Sequence, residues 1–380
     1  MKRSNTSGKY LKTLNNYKNP ELGHKLLAKI RSYKKCVTLM EVCGTHTMAF
    51  FRTGIRRSLP ENITLLSGPG CPVCVTPIEV IEKAMRLACR ENTVFFCFGD
   101  MMKVPGMHES LETAKAQKGA KVKVMYSPME ALEYAQREPQ KTVVLLGVGF
   151  ETTIPLFASV VMRAHEKQLK NLYLFPAFKL IPPALRYLLS SDSIAIDGFI
   201  LPGHVSAILG EKSYQFMADE YRACGVVTGF QLIDLLEGVL LLLDMISHHS
   251  PGIKNQYSRF VSKEGNTKAR ELIDTVFAPD DAYWRGIGIL KESGLRLKED
   301  YARYDASQLI DFDIGDVAEP PGCCCGAIIT GKMKPFDCAL FKSVCTPRHP
   351  IGPCMVSSEG TCAAYYKYSD SALCRKKSKE

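Results

Sequence analysis

Residues 142–153 read Thr-Val-Val-Leu-Leu-Gly-Val-Gly-Phe-Glu-Thr-Thr. An apolar run too short for a helix, rich in Val and Leu, ends at a glycine-bearing corner, and a helical pattern follows over 152–170. A buried strand that turns directly into a helix is the repeating unit of a parallel sheet with both faces covered. The same alternation extends both ways. Upstream, strands are predicted at 36–42, 63–66, 93–98 and 122–126, with helices at 77–90, 107–118 and 129–137. Downstream, strands fall at 172–178, 198–201 and 226–228, with helices at 182–191, 210–223 and 230–247. A further helix is predicted at 20–33, where Leu22, Leu26, Leu27 and Ile30 form one stripe. The fold class predicted is α/β: two tandem Rossmann-like parallel-sheet domains, 36–138 and 139–249, facing a cleft and divided at 138–141. From residue 251 the regularity fades. Residues 1–35 with 250–380 are therefore assigned to a third, irregular, Cys-rich domain.

Composition removes several alternatives. The chain has 380 residues, 46% hydrophobic and 23% charged, which is ordinary globular usage and excludes long disorder, collagen and a coiled coil. The opening Met-Lys-Arg-Ser-Asn-Thr-Ser carries no apolar stretch after its charges, so no signal peptide is expected. The most apolar segment, 229–247, holds Asp234, Glu237 and Asp244 and does not suit a membrane span. A cytoplasmic protein with reduced thiols is expected, and the odd count of 15 cysteines argues against complete pairing. The net charge of +10 is terminal: residues 1–36 hold ten Lys or Arg against Glu21 alone, and 375–380 add three more positive charges net. That basic arm has no recognised nucleic-acid motif, so it reads as a solvated helix face.

In open parallel sheets, ligands bind where strands run into helices, and the unusual residues of this chain fall there. Cys43 and His46, three apart at such a corner, offer a thiolate and an imidazole to one soft or borderline metal. Cys71-Pro72-Val73-Cys74 follows a Gly-Pro-Gly turn just before a helix, where free backbone N–H groups and the helix dipole lower a thiol's pKa. A dithiol/disulfide switch, half of a metal site and a pair of inert thiols all fit it. Glu151, beside Thr152 and Thr153, reads either as a helix cap or as a functional carboxylate, while Asp100 and His204 read either as groups that position a proton or ligand or as satisfied loop residues. Towards the C-terminus, Cys323, Cys338, Cys345 and Cys362 stand at C-x14-C-x6-C-x16-C, with Cys324, Cys325 and Cys354 nearby. Four thiolates in an irregular segment suit structural zinc or an iron–sulfur cluster. Spacings longer than C-x2-C favour a [4Fe–4S] cubane.

Taken together, Cys43-Gly-Thr-His-Thr47, Gly68-Pro-Gly-Cys-Pro-Val-Cys74, Gly149-Phe-Glu-Thr-Thr153, Leu201-Pro-Gly-His204 and Gly352-Pro-Cys-Met-Val-Ser-Ser-Glu-Gly360 resemble the HypD family of [NiFe]-hydrogenase maturation proteins, from about residue 20 to 368. The resemblance implies a cytosolic scaffold that, with the small chaperone HypC, holds Fe(II) while CN and CO ligands are attached. Cyanide would come from HypE with HypF, and the Fe(CN)2CO unit would pass to the hydrogenase large subunit. It further implies that Cys43 holds the iron with His46 beside it, that Cys71 and Cys74 are a redox pair, and that Cys323, Cys338, Cys345 and Cys362 bind a [4Fe–4S] cluster. Glu151, Thr152, Thr153, Asp100 and His204 match the loops around the family's cleft. One departure is Cys324, which stands where the family has a single residue between two cysteines and leaves the first cluster ligand open among Cys323, Cys324 and Cys325. Cys36, Cys89, Cys97 and Cys224 read as core thiols. An iron–sulfur thiol–disulfide oxidoreductase acting on a client protein is the alternative.

Overall fold

A computed structural model describes residues 19–191 and 195–369. Half of the basic residues of 1–36, and all of those at 375–380, lie outside the described residues. The eleven strands among the described residues are β1 (Val37–Glu41), β2 (Ile63–Ser67), β3 (Thr93–Cys97), β4 (Val122–Val124), β5 (Thr142–Gly147), β6 (Leu172–Pro176), β7 (Gly198–Pro202), β8 (Cys224–Thr228), β9 (Gly252–Asn255), β10 (Phe277–Trp284) and β11 (Gly288–Leu297). The chain divides into two compact units, residues 1–68 with 191–265 and residues 69–190 with 266–380.

The first unit is built on a five-stranded sheet of order β2-β1-β7-β8-β9, parallel throughout. β7 and β8 are buried along their whole length, as expected of strands covered on both faces. One face packs on Leu232–Ser247, whose Leu235, Leu236, Val239, Leu242 and Leu243 join Leu39, Ile200 and Val226 in a single core. That helix closes tightly on β8, because a Cβ added at Gly238 would stand 2.0 Å from Thr228 Cγ2. The helix Pro20–Arg31, capped by Asn19 Oδ1, packs against the same helix and buries Ile30.

The second unit carries a four-stranded parallel sheet of order β4-β3-β5-β6 and the antiparallel hairpin β10-β11. Its C-terminal part is short turns of helix joined by loops: Cys325–Ile329, Pro353–Val356 and Thr361–Tyr368.

The parallel α/β class agrees with the sequence; the expected partition does not. β1 and β2 pair with β7, β8 and β9 rather than with β3 and β4, so the division lies at 68/69 and 190/191, not at 138–141. Each strand–helix unit has the same apolar signature, and which strands become neighbours is decided by long-range packing that periodicity does not report. For the same reason the helix Pro20–Arg31 and β9 belong to the first unit, not to a third domain. The helix expected at 210–223 is broken. Gly210, at φ +83°, ends Gly203–Leu209, and a tight turn leads into Gln215–Asp219. Beyond residue 251 the hairpin was hidden because Pro279-Asp280-Asp281 interrupts the apolar pattern of β10 at a register shift. Its signal was the Gly286-Ile287-Gly288 turn, with both glycines at positive φ.

Candidate functional site

In the first unit, β1 ends at Glu41 and Cys43 becomes the N-cap of the helix Gly44–Arg52. Cys43 is buried, at 7% exposure. One turn on, His46 is fully buried and its Nε2 lies 3.1 Å from the Gly229 carbonyl and 3.2 Å from Thr228 Oγ1. A carbonyl only accepts, so Nε2 carries the proton and Nδ1 keeps a bare lone pair. Nδ1 has no hydrogen-bond partner. Burial pushes the His46 pKa down to about 4, so the ring is neutral at physiological pH, as a metal-ligating imidazole must be. Phe230 lies between two imidazoles, 4.6 Å from His46 and 4.1 Å from His204. His204 itself is exposed, in the first turn of Gly203–Leu209. The Phe230 loop is held by Asp234, which receives Arg259 through both oxygens at 2.8 and 2.6 Å and Gln256 at 2.8 Å.

Beneath Cys43 lies a residue that sequence reading missed. Glu41 is 0% exposed, and burial raises its pKa to about 8 against the opposing pull of Arg56 and of hydrogen bonds from Ser67, Thr47 and the Cys43 backbone. Its signal was a carboxylate closing an otherwise apolar strand.

In the second unit, Cys71 and Cys74 form a disulfide at the start of the short helix Pro72–Val75. Pro72 and Val73 line an open pocket of about 540 Å³ with Asp100, Tyr126, Gly149 and Thr153. Asp100 Oδ2 accepts hydrogen bonds from Ser357 Oγ (3.1 Å) and Ser358 N–H (3.2 Å), so this carboxylate tethers the 357–359 segment to the pocket rim. Thr152 is exposed, and Thr153 Oγ1 donates to the Phe150 carbonyl. Glu151 is 2% exposed. Its Oε1 accepts the Ile181 N–H at 2.9 Å and its Oε2 has no partner. Burial raises its pKa to about 7. On the neighbouring loop, Lys179 gives its backbone N–H to the Gly149 carbonyl, while burial lowers the pKa of its side chain to about 8. Sequence reading passed over Lys179 as well.

The C-terminal thiols meet around one small cavity lined by Cys323, Cys324, Cys325, Cys338, Cys345 and Cys362, with Ile328, Leu340, Phe341 and Met355. Cys325 and Cys354 donate hydrogen bonds that pull Cys362 down to about 6, while the hydrogen bond from Cys323 to Cys325, with burial, pushes the Cys323 thiol up. Among the described residues no three His, Cys, Asp or Glu groups stand in a ready ligand geometry. The donor set is nevertheless the soft, sulfur-only kind that an iron–sulfur cluster takes. Pro353–Val356, which carries Cys354, packs against the disulfide helix Pro72–Val75. Gly352, just before that helix, leaves room for two thiols, because a Cβ there would stand 2.5 Å from Cys325 Sγ and 2.6 Å from Cys323 Sγ. Gly352→Ala is expected to cost about 1–3 kcal/mol and to speed iodoacetamide labelling of Cys323 and Cys325. Labelling at the wild-type rate would show that the sulfurs are not packed this way.

The structure thus gathers Cys43, His46 and His204 in one unit, and Asp100, Cys71, Cys74, Glu151 and the six cavity thiols in the other. Each unit thus sets cysteine sulfur on a parallel α/β frame. The model of the family described as "HypD: Hydrogenase formation hypA family" matches residues 21–369. Hydrogenase maturation factor HypD2 of Bradyrhizobium diazoefficiens is 42% identical over 369 residues, covering 94% of this chain and 97% of that protein. Hydrogenase maturation factor HypD of Escherichia coli K12 is 41% identical, covering 94% and 98%. That of Rhodobacter capsulatus is also 41% identical, with the same coverage. The chain belongs to the HypD family. No helix among the described residues is long and apolar enough to cross a membrane.

Proposed function

We propose that this protein serves hydrogenase maturation as the scaffold on which the Fe(CN)2CO unit of [NiFe]-hydrogenase is assembled. It holds Fe(II) with HypC, receives cyanide from HypE and HypF, and passes the finished unit to the hydrogenase large subunit. The observation that carries this reading is a buried cysteine followed three residues later by a neutral histidine with a bare Nδ1, in a chain of this family. Iron is the cargo. Cys43 supplies a thiolate, His46 a neutral nitrogen whose orientation the Gly229 carbonyl fixes, and Phe230 excludes water from the ring face.

The second unit supports the electron chemistry. Reducing Cys71–Cys74 consumes two electrons and two protons, and a [4Fe–4S] cluster held by four of the six cavity cysteines would, when bound, supply electrons one at a time. Cys323, Cys338, Cys345 and Cys362 remain the proposed ligands.

The test is infrared spectroscopy of the protein purified with HypC. Wild type is expected to show cyanide and carbonyl stretching bands, and Cys43→Ala to lose them; unchanged bands in the variant would remove Cys43 as the holder. The disulfide packed against Pro353–Val356 favours one second reading, a thiol–disulfide oxidoreductase acting on a client. Steady turnover of a disulfide substrate by protein without diatomic ligands would decide for it.

A further inference from the structure

We propose that Glu41 is a positioning residue for Cys43: its buried carboxylate ties together the ends of two strands and the first turn of a helix, and so fixes where the Cys43 sulfur stands. This rests on the reading of Cys43 as the iron-holding thiolate. Between the end of β1 and the helix Gly44–Arg52 the chain turns within two residues, Val42 and Cys43, and nothing in that short link is intrinsically rigid.

The rigidity comes from hydrogen bonds that converge on Glu41. Thr47 Oγ1, from the first turn of the helix, stands 2.8 Å from both carboxylate oxygens. Ser67 Oγ, at the end of β2, donates to Oε1 at 2.6 Å. The Cys43 backbone N–H is a further donor, and Arg56 Nη1 faces Oε1 at 3.7 Å. Thr47 also closes on the other side of Cys43, its N–H reaching the Cys43 carbonyl at 3.0 Å and its Oγ1 the same oxygen at 3.4 Å. Both backbone polar groups of Cys43 are therefore tied to the carboxylate, one directly and one through Thr47. The Glu41 carbonyl accepts the Gly68 N–H at 2.7 Å, which locks the two strand ends to each other.

A carboxylate is an expensive way to fill a core, because removing it from water costs several kcal/mol unless donors replace the water. Its strand neighbours Leu39 and Met40 are fully buried without that cost. What an apolar side chain cannot do is accept donors from three segments at once. Residues that hold a ligand through hydrogen bonds typically change metal affinity by roughly 10–100-fold when altered, and Glu41 stands in that relation to Cys43.

Full-length protein carrying Glu41→Gln or Thr47→Val is compared with wild type and Cys43→Ala. Three measurements are made under reducing conditions: the circular dichroism melt, the rate of Cys43 alkylation by iodoacetamide mapped by peptide mass, and the affinity for Co(II) as a thiolate-reporting probe. Gln keeps the shape of Glu but puts an NH2, which only donates, in place of one oxygen that can accept from Ser67 or Thr47. Glu41→Gln is expected to melt cooperatively while its Cys43 alkylation rate and Cys43-dependent Co(II) affinity shift by about tenfold; Thr47→Val should shift both in the same sense by less. A folded Glu41→Gln with wild-type alkylation and wild-type Co(II) affinity would overturn the proposal. If Glu41→Gln does not fold, Thr47→Val decides alone, and wild-type values there would equally overturn it. Cys43→Ala judges the underlying reading separately. If it binds Co(II) as wild type does, the holder is elsewhere, and the alkylation rate, which needs no metal, still decides on Glu41.

Discussion

Replacing Cys345 by Ser is expected to remove most of the bound iron and the visible absorption of an iron–sulfur cluster, and to leave residues 320–369 open to protease. The expectation follows from how little else holds this segment. Its helices are four, five and eight residues long, and the described secondary structure between them consists of short turns. Few large apolar side chains are buried there, chiefly Ile328, Ile329, Met355 and Tyr365, while thiols occupy the central space. On the proposed reading a cluster would supply the missing stability, as structural zinc contributes on the order of 10 kcal/mol to small domains. Cys345 lines the cavity and is 8% exposed, so its loss opens the site directly. Cys36→Ser, at an exposed thiol, serves as the control and should change neither iron content nor protection. Full iron content in Cys345→Ser would show that the cavity is not where a cluster binds.

Much of this chain was legible from sequence, and the boundary of legibility has a physical cause. Residues 142–153 identify a strand, a corner and a helix because each is set by local pattern, and the observed β5 and Ile154–Glu166 lie where expected. The Cys71–Cys74 pair was legible because spacing along a helix turn is also local, as is the placing of Cys43 and His46 at the start of one helix. The partners of those residues were not. The Gly229 carbonyl, Thr228 and Phe230 reach His46 from more than 180 positions away, through pairing of β1 with β7 and β7 with β8. Glu41 and Lys179 escaped for a related reason. A charged residue on a strand end or loop is normally exposed, and only the tertiary fold decides that these two are not.

Those burials predict an unusual pH dependence. In Glu151 the folded-state pKa stands raised from 4.5 to about 7 because burial disfavours the anion. The resulting stabilisation is fully present below pH 4.5 and is lost as pH rises through about 7. At about 1.36 kcal/mol per pKa unit, the loss amounts to about 3 kcal/mol. Lys179 is the mirror case: burial lowers its pKa from 10.5 to about 8, so its contribution is present above 10.5 and lost as pH falls through 8, again by about 3 kcal/mol. Near neutrality the fold therefore bears both penalties. Glu151→Gln, titrated against wild type by guanidinium unfolding, should gain about 3 kcal/mol relative to wild type between pH 4 and pH 8, and Lys179→Met should gain a similar amount between pH 11 and pH 7. Curves that run parallel to wild type across these windows would contradict the burial of the charged forms. A chain selected for stability alone would have replaced both residues. A carboxyl that burial raises to about 7, two residues along the chain from the pocket-lining Gly149, is thus one that the fold keeps at a cost to its own stability.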